Sequence, residues 1–162
     1  MAIEAAIAHL SEFNAESRIR VFDVSSATVE LAALALGVAP QRIAKTLAFR
    51  DEEGALLIVT AGDAKIDNAK FKAEFKMKAR MLNPEETLER VGHAIGGVCP
   101  FGVKSGCRIF LDDALRRFET VFPAVGSSNS AIEVDLSELE QFSKALGWVD
   151  VCKIPSQEDD HE

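Results

Sequence analysis

The sequence IAKTLAFR, residues 43–50, predicts the β-strand on which the rest of the chain depends. Its residues Ile43, Leu47 and Phe49 recur with a period of two and therefore point to one face. Lys45 falls on that same face. An ammonium group directed toward an apolar layer is unfavourable unless it meets an anionic partner or a polar cavity. The alternative is that Lys45 lies at the strand end and extends its charged head into water.

A second strand follows directly. The polar turn at residues 51–54 leads into ALLIVT, residues 55–60, an apolar run that indicates a strand buried on both faces. Further strands are predicted at residues 18–24, 77–82, 107–111, 120–125 and 131–134. Because strands and helices are mixed and at least two links are hairpins, we expect an α/β (α+β) fold. It would be a single domain with a mixed, curved, barrel-like sheet flanked by helices.

Helical spacing and capping residues predict the helices of this fold. They begin near Ile3, after Thr28, at Asp67, at Asn83 and at Asp135. The first helix is amphipathic and is expected to end near Ser17. Ser26 and Thr28 are candidate N-caps for the second, which Gly37 should end, and Gly147 should end the last.

The length of 162 residues is enough for one domain with a sizeable core and too small for two ordinary domains. We therefore expect a single domain over residues 1–152. The segment that follows, 153–162, contains four acidic residues and is expected to form a disordered tail.

Three features of the sequence favour a cytoplasmic protein. No apolar run approaches the roughly 18 to 20 residues that a membrane span needs. The start, residues 1–4, lacks the basic region of a signal peptide. The chain has three cysteines, an odd number, and none of them forms a C-x-x-C pair: Cys99, Cys107 and Cys152. This pattern fits a reducing compartment and argues against a disulfide framework or a zinc site. We expect no metal and no membrane contact.

The formal net charge of −8 at first argues against nucleic acid as a partner. The charges are unevenly spread, however. A basic cluster, defined here as Lys65, Lys70, Lys72, Lys76, Lys78 and Arg80, contains only two interspersed acids. The cluster is either a solvated helix face or a surface that guides an RNA end in a salt-dependent way.

The glycine loop, GGVCPFG at residues 96–102, is the second unusual stretch. Glycines let a backbone approach a ligand closely, and Pro100 fixes the local shape. The loop could therefore present bare N–H groups to a carbonyl or hydroxyl, as an oxyanion hole does. The alternative is a purely structural Ω-loop.

Other chemistries find little support. One pairing could supply a nucleophile and a base: Cys99 with His93, which lies six residues earlier in the chain. The alternative is that His93 caps a helix end. His9 and His161 are expected to be solvated. No His, Cys, Asp and Glu set has metal-ligand spacing, and neither a Walker A nor a dinucleotide-binding motif occurs.

The lysine strand, which is the predicted strand at residues 43–50, and the glycine loop together resemble the YbaK-type aminoacyl-tRNA deacylases. This family also supplies the editing domain inserted in bacterial prolyl-tRNA synthetases. The resemblance covers about residues 20–147. It rests on LGV at 36–38 followed by IAKTL at 43–47, and on GH at 92–93 leading into the glycine loop. Each motif alone is weak, and the two together are specific.

The resemblance implies a free-standing trans-editing hydrolase that removes a small non-cognate amino acid from tRNA-Pro, with no cofactor. Lys45 would engage the phosphate or ribose of the acceptor end. Gly96 and Gly97, with the loop to Pro100, would hold the aminoacyl carbonyl and the terminal adenosine. A ribose hydroxyl of the tRNA itself would help to activate water, and prolyl-tRNA synthetase is a possible partner.

Further residues are expected to contact the substrate: Thr28, Thr46, Cys99, Pro100 and Gly126. On a regular strand Thr46 points away from Lys45, so only one of the two would face the substrate. Ala124 and Ala131 stand where several relatives carry Ser and Asp, which disfavours a cysteine-specific activity and leaves alanine or another small residue open. The remaining alternatives are a tRNA-end or nucleotide binding module without hydrolysis, and a Cys99-dependent esterase.

Overall fold

The structure is a computed structural model that describes residues 2–52 and 54–155. Its α-helices are α1 (Ala2–Ser11), α2 (Val29–Leu36), α3 (Asn68–Phe75), α4 (Pro84–Arg90) and α5 (Leu136–Ser143). Its strands are β1 (Arg20–Val21), β2 (Ile43–Asp51), β3 (Gly54–Ala61), β4 (Lys65–Ile66), β5 (Cys107–Asp112), β6 (Thr120–Pro123), β7 (Ser130–Ala131), β8 (Val134–Asp135), β9 (Gly147–Val149) and β10 (Cys152–Lys153). Short 3₁₀ helices occupy Glu16–Arg18, Pro40–Arg42 and Asp113–Arg117.

The strands build a six-stranded sheet in the order β8-β6-β2-β3-β5-β9. The predicted hairpin forms its centre: β2 and β3 are antiparallel, with Lys45 opposite Thr60. The pairs β2–β6, β3–β5 and β5–β9 are parallel, and β6–β8 is antiparallel. The sheet is therefore mixed, and with its curvature and flanking helices it confirms the predicted α/β fold.

The core lies around β3, as its apolar sequence predicts. Every residue from Ala55 to Ala61 is buried, so this strand is covered on both faces. On one side the rings of Phe49, Phe71, Phe75 and Phe110 contact each other in series, with centroids 4.9–5.2 Å apart. This series joins α3 to the sheet.

Local capping signals in the sequence are confirmed. Thr28 Oγ1 accepts the backbone N–H of Leu31 and starts α2, and Gly37 ends it in the left-handed conformation, with φ of 71°. Asn83 and Asp135 each form a complete capping box at the start of α4 and α5. These signals act within a few residues and do not depend on the rest of the fold.

Two helix ends were predicted wrongly. The first helix ends at Ser11 rather than near Ser17, because Asn14 adopts a left-handed conformation with φ of 58° and turns the chain. The last helix ends at Ser143, where Lys144 supplies the left-handed cap with φ of 56°. Gly147 instead opens β9. In both places a non-glycine residue adopts a conformation that sequence rules reserve mainly for glycine.

Several predicted strands are shorter than expected. Residues 18–24 contain only β1, and residues 77–82 contain a single bridge between Met81 and Phe49. Residues 120–125 and 131–134 likewise shrink to β6 and to the two-residue strands β7 and β8. Each of these segments finds a pairing partner over only a few residues, so its β-propensity is not realised along its full length.

The prediction that His9 is solvated is wrong, because the residue is half-buried. Its Nε2 donates to the carbonyl oxygen of Phe142 at 2.6 Å, and its Nδ1 accepts the N–H of Gly102 at 2.9 Å. The imidazole thus joins α1 to α5 and to the glycine loop. The prediction for His161 lies outside the described residues.

At the C-terminal end, Lys153 lies in β10, one residue past the predicted domain boundary. Residues 154–155 have no regular secondary structure, and the rest of the predicted tail, 156–162, lies outside the described residues.

Within the described part of the chain, the helices are all too short or too polar to span a bilayer.

Candidate active site

The site lies where the sheet opens beside β2. The parallel pairing between β2 and β6 covers only Ile43 and Ala44. Farther along the same edge, Ala48 O accepts the N–H of Leu82 and Arg50 N–H donates to Arg80 O. Within the described residues no strand pairs with this edge between those points. Because hydrogen-bonding direction alternates along a strand, the N–H and C=O of Thr46 face the gap.

A cavity of about 210 Å³ occupies this gap. It is lined by β2, the start of α2, the glycine loop and the β6–β7 connection. The lining residues are Ser26, Ala27, Thr28, Val29, Ala32, Ile43, Ala44, Lys45, Thr46, Leu47, Met81, Ile95, Gly96, Val98, Phe122, Ala124, Ser130 and Ala131. Four of the predicted site residues are among them: Thr28, Lys45, Thr46 and Gly96.

Lys45 is half-buried in the cavity wall, and its Nζ donates to the carbonyl oxygen of Gly62 at 3.3 Å. Desolvation lowers the pKa of this amine, and the carboxylates of Asp63 and Glu30 only partly oppose that effect. Of the two interpretations left open by the sequence, the structure favours a half-buried lysine in a cavity wall over one that extends freely into water.

Lys45 and Thr46 both line the cavity, and that only one of the two faces a substrate stays a prediction. Their side chains do lie on opposite faces of β2, as strand geometry requires. Thr46 Oγ1 is buried, whereas the backbone N–H and C=O of Thr46 face the gap.

The glycine loop reaches the cavity through its first half. Gly96 has φ of 95°, and a Cβ added to it would lie 3.2 Å from that of Ala27. Gly97 packs against the backbone of Ser127, where an added Cβ would approach the nitrogen to 2.8 Å. The Gly97 N–H already donates to Ala94 O at 3.0 Å. Gly96 is therefore placed to meet a ligand, and Gly97 is placed to let two loops touch.

The other predicted contact residues lie behind the cavity wall. Cys99, Pro100 and Gly126 are all buried, and none of them lines the cavity. Gly126 turns the chain between β6 and β7 with φ of 78°. These residues support the loops whose neighbours form the wall.

Cys99 and His93 do lie side by side, with Sγ 3.5 Å from Nε2. Both are fully buried, and both point to the carbonyl oxygen of Phe101, at 2.7 Å from Nε2 and 3.4 Å from Sγ. Burial raises the pKa of the Cys99 thiol to about 12 and lowers the pKa of His93. A protonated, inaccessible thiol is a poor nucleophile, so the pair is structural in this arrangement.

The chemistry of the wall is unusual for a hydrolase. Among the described residues that line the cavity there is no Asp, Glu, His or Cys, and Lys45 is the only titratable side chain. The polar groups are otherwise hydroxyls, at Ser26, Thr28, Thr46 and Ser130. Such a site can bind anions and ester oxygens, but apart from Lys45 no lining side chain can act as a general base.

The basic cluster is divided by the fold. Lys70 on α3 forms an ion pair with Asp150 at 3.1 Å, on the side of β10. Lys76, Lys78 and Arg80 are exposed in the segment that leads to Met81, a residue of the cavity wall. Lys78 and Arg80 line a separate surface depression together with Arg50 and Arg90, so within this segment only Met81 lines the cavity.

The sequence indicates Ser26 only as a possible helix cap, yet Ser26 lines the cavity. Ala124 and Ala131, which depart from the family pattern, also line it. Nothing local marks Ser26, because its place in the wall comes from the backbone bond that its N–H donates to Ser128 O, about one hundred residues later in the chain.

The model of the aminoacyl-tRNA editing domain family matches residues 23–142, a range that contains every residue of the cavity wall. The chain therefore belongs to the aminoacyl-tRNA editing domain family. This result confirms the resemblance drawn from the lysine strand and the glycine loop.

Individual proteins show the same relationship. The chain is 53% identical over 154 residues to the uncharacterized protein YwhH of Bacillus subtilis (strain 168), covering 94% of this chain and 98% of YwhH. It is 38% identical over 77 residues to the proline–tRNA ligase of Thermotoga sp. (strain RQ2), covering 47% of this chain and 13% of the ligase. The matched region is thus a small part of the ligase's length.

Solved structures share the fold. The crystal structure of a proposed trans-editing enzyme for prolyl tRNA synthetase matches with a TM-score of 0.84 and 27% identity, covering 94% of this chain and 97% of that one. The hypothetical protein APE2540 matches with a TM-score of 0.77 and 25% identity, covering 90% and 99%.

Proposed function

We propose that this protein is a free-standing trans-editing hydrolase that removes a small, wrongly attached amino acid from tRNA-Pro. The observation that carries the proposal is the meeting of Lys45 and Gly96 in one cavity, although the two residues are about fifty positions apart in the chain. A cation and an exposed stretch of backbone together suit a ligand that has both phosphate and ester oxygens.

The reaction is the hydrolysis of an ester. Water adds to the aminoacyl carbonyl carbon, the bond from that carbon to the ribose oxygen breaks, and the ribose oxygen takes a proton. The products are a free amino acid and an intact tRNA. Lys45 engages the phosphate or ribose of the acceptor end, and the backbone around Gly96 and Thr46 holds the aminoacyl group.

A substrate hydroxyl is the natural partner for the attacking water. The cavity wall offers no carboxylate or imidazole within the described residues. The free ribose hydroxyl of the terminal adenosine lies beside the ester in any aminoacyl-tRNA, so it can orient the water without a protein base. Lys45 in its charged form then stabilises negative charge.

Editing also explains why a separate small cavity is useful. When two amino acids differ by one methylene, the aminoacylation site of a tRNA synthetase separates their binding free energies by only roughly 1–3 kcal/mol. A second, smaller site can hydrolyse the wrongly charged tRNAs. The match to proline–tRNA ligase supports tRNA-Pro as the substrate and prolyl-tRNA synthetase as a functional partner. We place this activity in the cytoplasm, where tRNAs are charged.

The test is a deacylation assay with tRNA-Pro carrying different amino acids, comparing the natural protein with Lys45→Ala. We expect Lys45→Ala to lower kcat/KM by roughly 100-fold or more while the fold survives. Lys104→Ala is a matched control, because Lys104 is exposed and belongs neither to the basic cluster nor to the cavity wall. Unchanged hydrolysis by folded Lys45→Ala would refute the proposal, and tight binding of charged tRNA without hydrolysis would indicate a binding module.

A further inference from the structure

The turn that carries the carbonyl partner of Lys45 is tied to a distant part of the chain. Gly62 and Asp63 form this turn, directly after β3. The Asp63 carboxylate accepts two hydrogen bonds from the Arg117 guanidinium, from Nη2 to Oδ1 at 2.6 Å and from Nη1 to Oδ2 at 3.0 Å. A two-point ion pair of this kind fixes the direction of a carboxylate as well as its distance. The turn is therefore held by a residue 54 positions farther along the chain.

Arg117 is itself held in place by further contacts. Its Nε donates to the carbonyl oxygen of Ala114 at 2.9 Å, and its guanidinium carbon lies 4.8 Å from the ring centroid of Phe118. The side chain of Arg117 is 35% exposed and that of Asp63 is 26% exposed. Because the pair is bidentate and partly shielded from water, it is better ordered than an ordinary surface ion pair.

The 3₁₀ helix that ends at Arg117 is anchored to the strand opposite Lys45. Asp112 caps this helix: its Oδ2 accepts the N–H of Ala114 at 2.9 Å and the hydroxyl of Thr60 at 3.2 Å. Thr60 and Asp112 are buried, and Thr60 is the residue paired with Lys45 in the β2–β3 hairpin. The contacts thus form a closed ring that contains Lys45, Thr60, Asp112, the 3₁₀ helix, Arg117, Asp63 and Gly62.

Charged and titratable groups act on Lys45 from four places around it. Glu30 lies on α2, Asp63 follows β3, Lys65 lies on β4 and Cys152 lies on β10. Burial raises the pKa of the Cys152 thiol to about 12, so this thiol is neutral at pH 7. The carboxylates of Glu30 and Asp63 raise the pKa of Lys45, and the cation of Lys65 lowers it.

We propose that Asp63 and Arg117 are positioning residues for Lys45. Their ion pair holds the Gly62 carbonyl that orients the ammonium group, and the Arg117 guanidinium partly offsets the negative charge that Asp63 presents to it. The proposal rests on the proposed deacylase function, in which Lys45 is the cation of the site. Neither Asp63 nor Arg117 lines the cavity, so both act through Lys45 rather than on a substrate.

Two substitutions break the same ion pair but change the charge near Lys45 in opposite ways. Asp63→Asn removes an anion, which should lower the pKa of Lys45. Arg117→Gln leaves that anion without its cation, which should raise the pKa of Lys45. A purely structural loosening would expose Lys45 to water and raise its pKa in both variants. Shifts of opposite sign therefore distinguish the proposal from a loss of packing.

The pKa of Lys45 is measured by proton–carbon NMR of the lysine Cε groups in protein that contains carbon-13-labelled lysine. The signal that is missing from Lys45→Ala identifies the residue. Asp113→Asn and Arg116→Gln are matched controls, because they break an exposed ion pair of 2.9 Å on the same 3₁₀ helix. We expect the controls to leave the titration of Lys45 unchanged.

Deacylation of charged tRNA-Pro gives a second readout. Asp63→Asn and Arg117→Gln should each lower kcat at pH 7 by about tenfold, because the ammonium group is no longer held in its productive place. The pH at which kcat falls in the alkaline range should move down in Asp63→Asn and up in Arg117→Gln.

The outcomes separate this proposal from the proposed function. Shifts of the Lys45 pKa in opposite directions would support the proposal, whereas shifts in one direction, or none, would overturn it. An unchanged kcat at pH 7 in both variants would overturn the positioning role and leave the deacylase function intact. If the natural protein hydrolyses no charged tRNA, the proposed function fails, and the NMR titration, which needs no hydrolysis, still decides whether the ion pair acts on Lys45.

Discussion

The Lys45 ammonium nitrogen lies 3.3 Å from the carbonyl oxygen of Gly62, which follows β3 directly. Lys45 on β2 thus contacts the residue that comes directly after β3, its partner strand in the central hairpin. Gly62 is itself closely enclosed: a Cβ added to it would lie 2.1 Å from Pro40 O and 2.7 Å from Val29 Cγ1. The Gly62 carbonyl that contacts Lys45 therefore belongs to a closely packed residue.

Gly62→Ala should therefore disturb both the fold and the site. The added methyl group must displace the backbone at Pro40, which we expect to lower the free energy of unfolding by about 1–3 kcal/mol. It should also shift the carbonyl that holds Lys45 and lower deacylation. Urea denaturation and kcat/KM measure the two effects.

Gly147→Ala is the control for that substitution. A Cβ at Gly147 meets nothing within 4 Å, so the same chemical change should have little effect there. If both variants were equally stable and active, the close packing around Gly62 would have no part in positioning Lys45.

The pH dependence of deacylation should reveal the charge state of Lys45. Burial lowers the pKa of this amine below its usual 10.5. If the ammonium form is the active one, kcat should fall as the pH rises through the lowered pKa, at a lower pH than for an ordinary lysine. The measurement is kcat between pH 6 and 10, after subtraction of the uncatalysed hydrolysis.

A rate that instead rises with pH over the same range would contradict this assignment. It would indicate that the neutral amine acts as the general base, in place of the ribose hydroxyl of the tRNA.

His93 should make the protein sensitive to acid. Desolvation lowers its pKa in the folded state below 6.5, so the unfolded chain binds the proton more readily. Stability from the neutral imidazole is full above about pH 6.5 and is lost as the pH falls toward the folded-state pKa. His93→Asn should lower stability at pH 7.5 but flatten its decrease between pH 7 and 5. Urea denaturation at several pH values tests this, and parallel curves for the two proteins would contradict it.

Cys99 should resist alkylation in the folded protein. Its thiol is fully buried and its pKa is raised to about 12, so almost no thiolate is available at pH 8. Mass spectrometry after iodoacetamide treatment should show Cys99 modified only when denaturant is present.

Cys99→Ala should keep most of the deacylase activity and lose about 1 kcal/mol of stability through the small cavity it leaves. Complete inactivation of a folded Cys99→Ala protein would revive the esterase hypothesis.

The parts of the fold that the sequence predicted well are those governed by neighbouring residues. The β2–β3 hairpin followed from period-two hydrophobicity and a polar turn, and the starts of α2, α4 and α5 followed from their capping residues. The errors fell at Asn14 and Lys144, where residues other than glycine take left-handed conformations.

The site was predicted in outline and not in detail. Lys45, Gly96, Thr28 and Thr46 do share one cavity, whereas Cys99, Pro100 and Gly126 lie behind its wall. The sequence motifs could indicate which segments meet, but they could not show which residue of a loop faces inward.

By itself, the sequence determined the lysine-bearing strand, its hairpin partner, the helix starts and the family to which the chain belongs. All of these depend on patterns within short segments. Only the tertiary structure decided where the cavity lies, because the gap beside β2 exists only where β6 separates from Ala44 and residues 80–82 join at Ala48. The pairing of segments so distant in the chain leaves no local pattern, and it is this pairing that brings Ser26, Lys45 and Gly96 to the wall of one cavity.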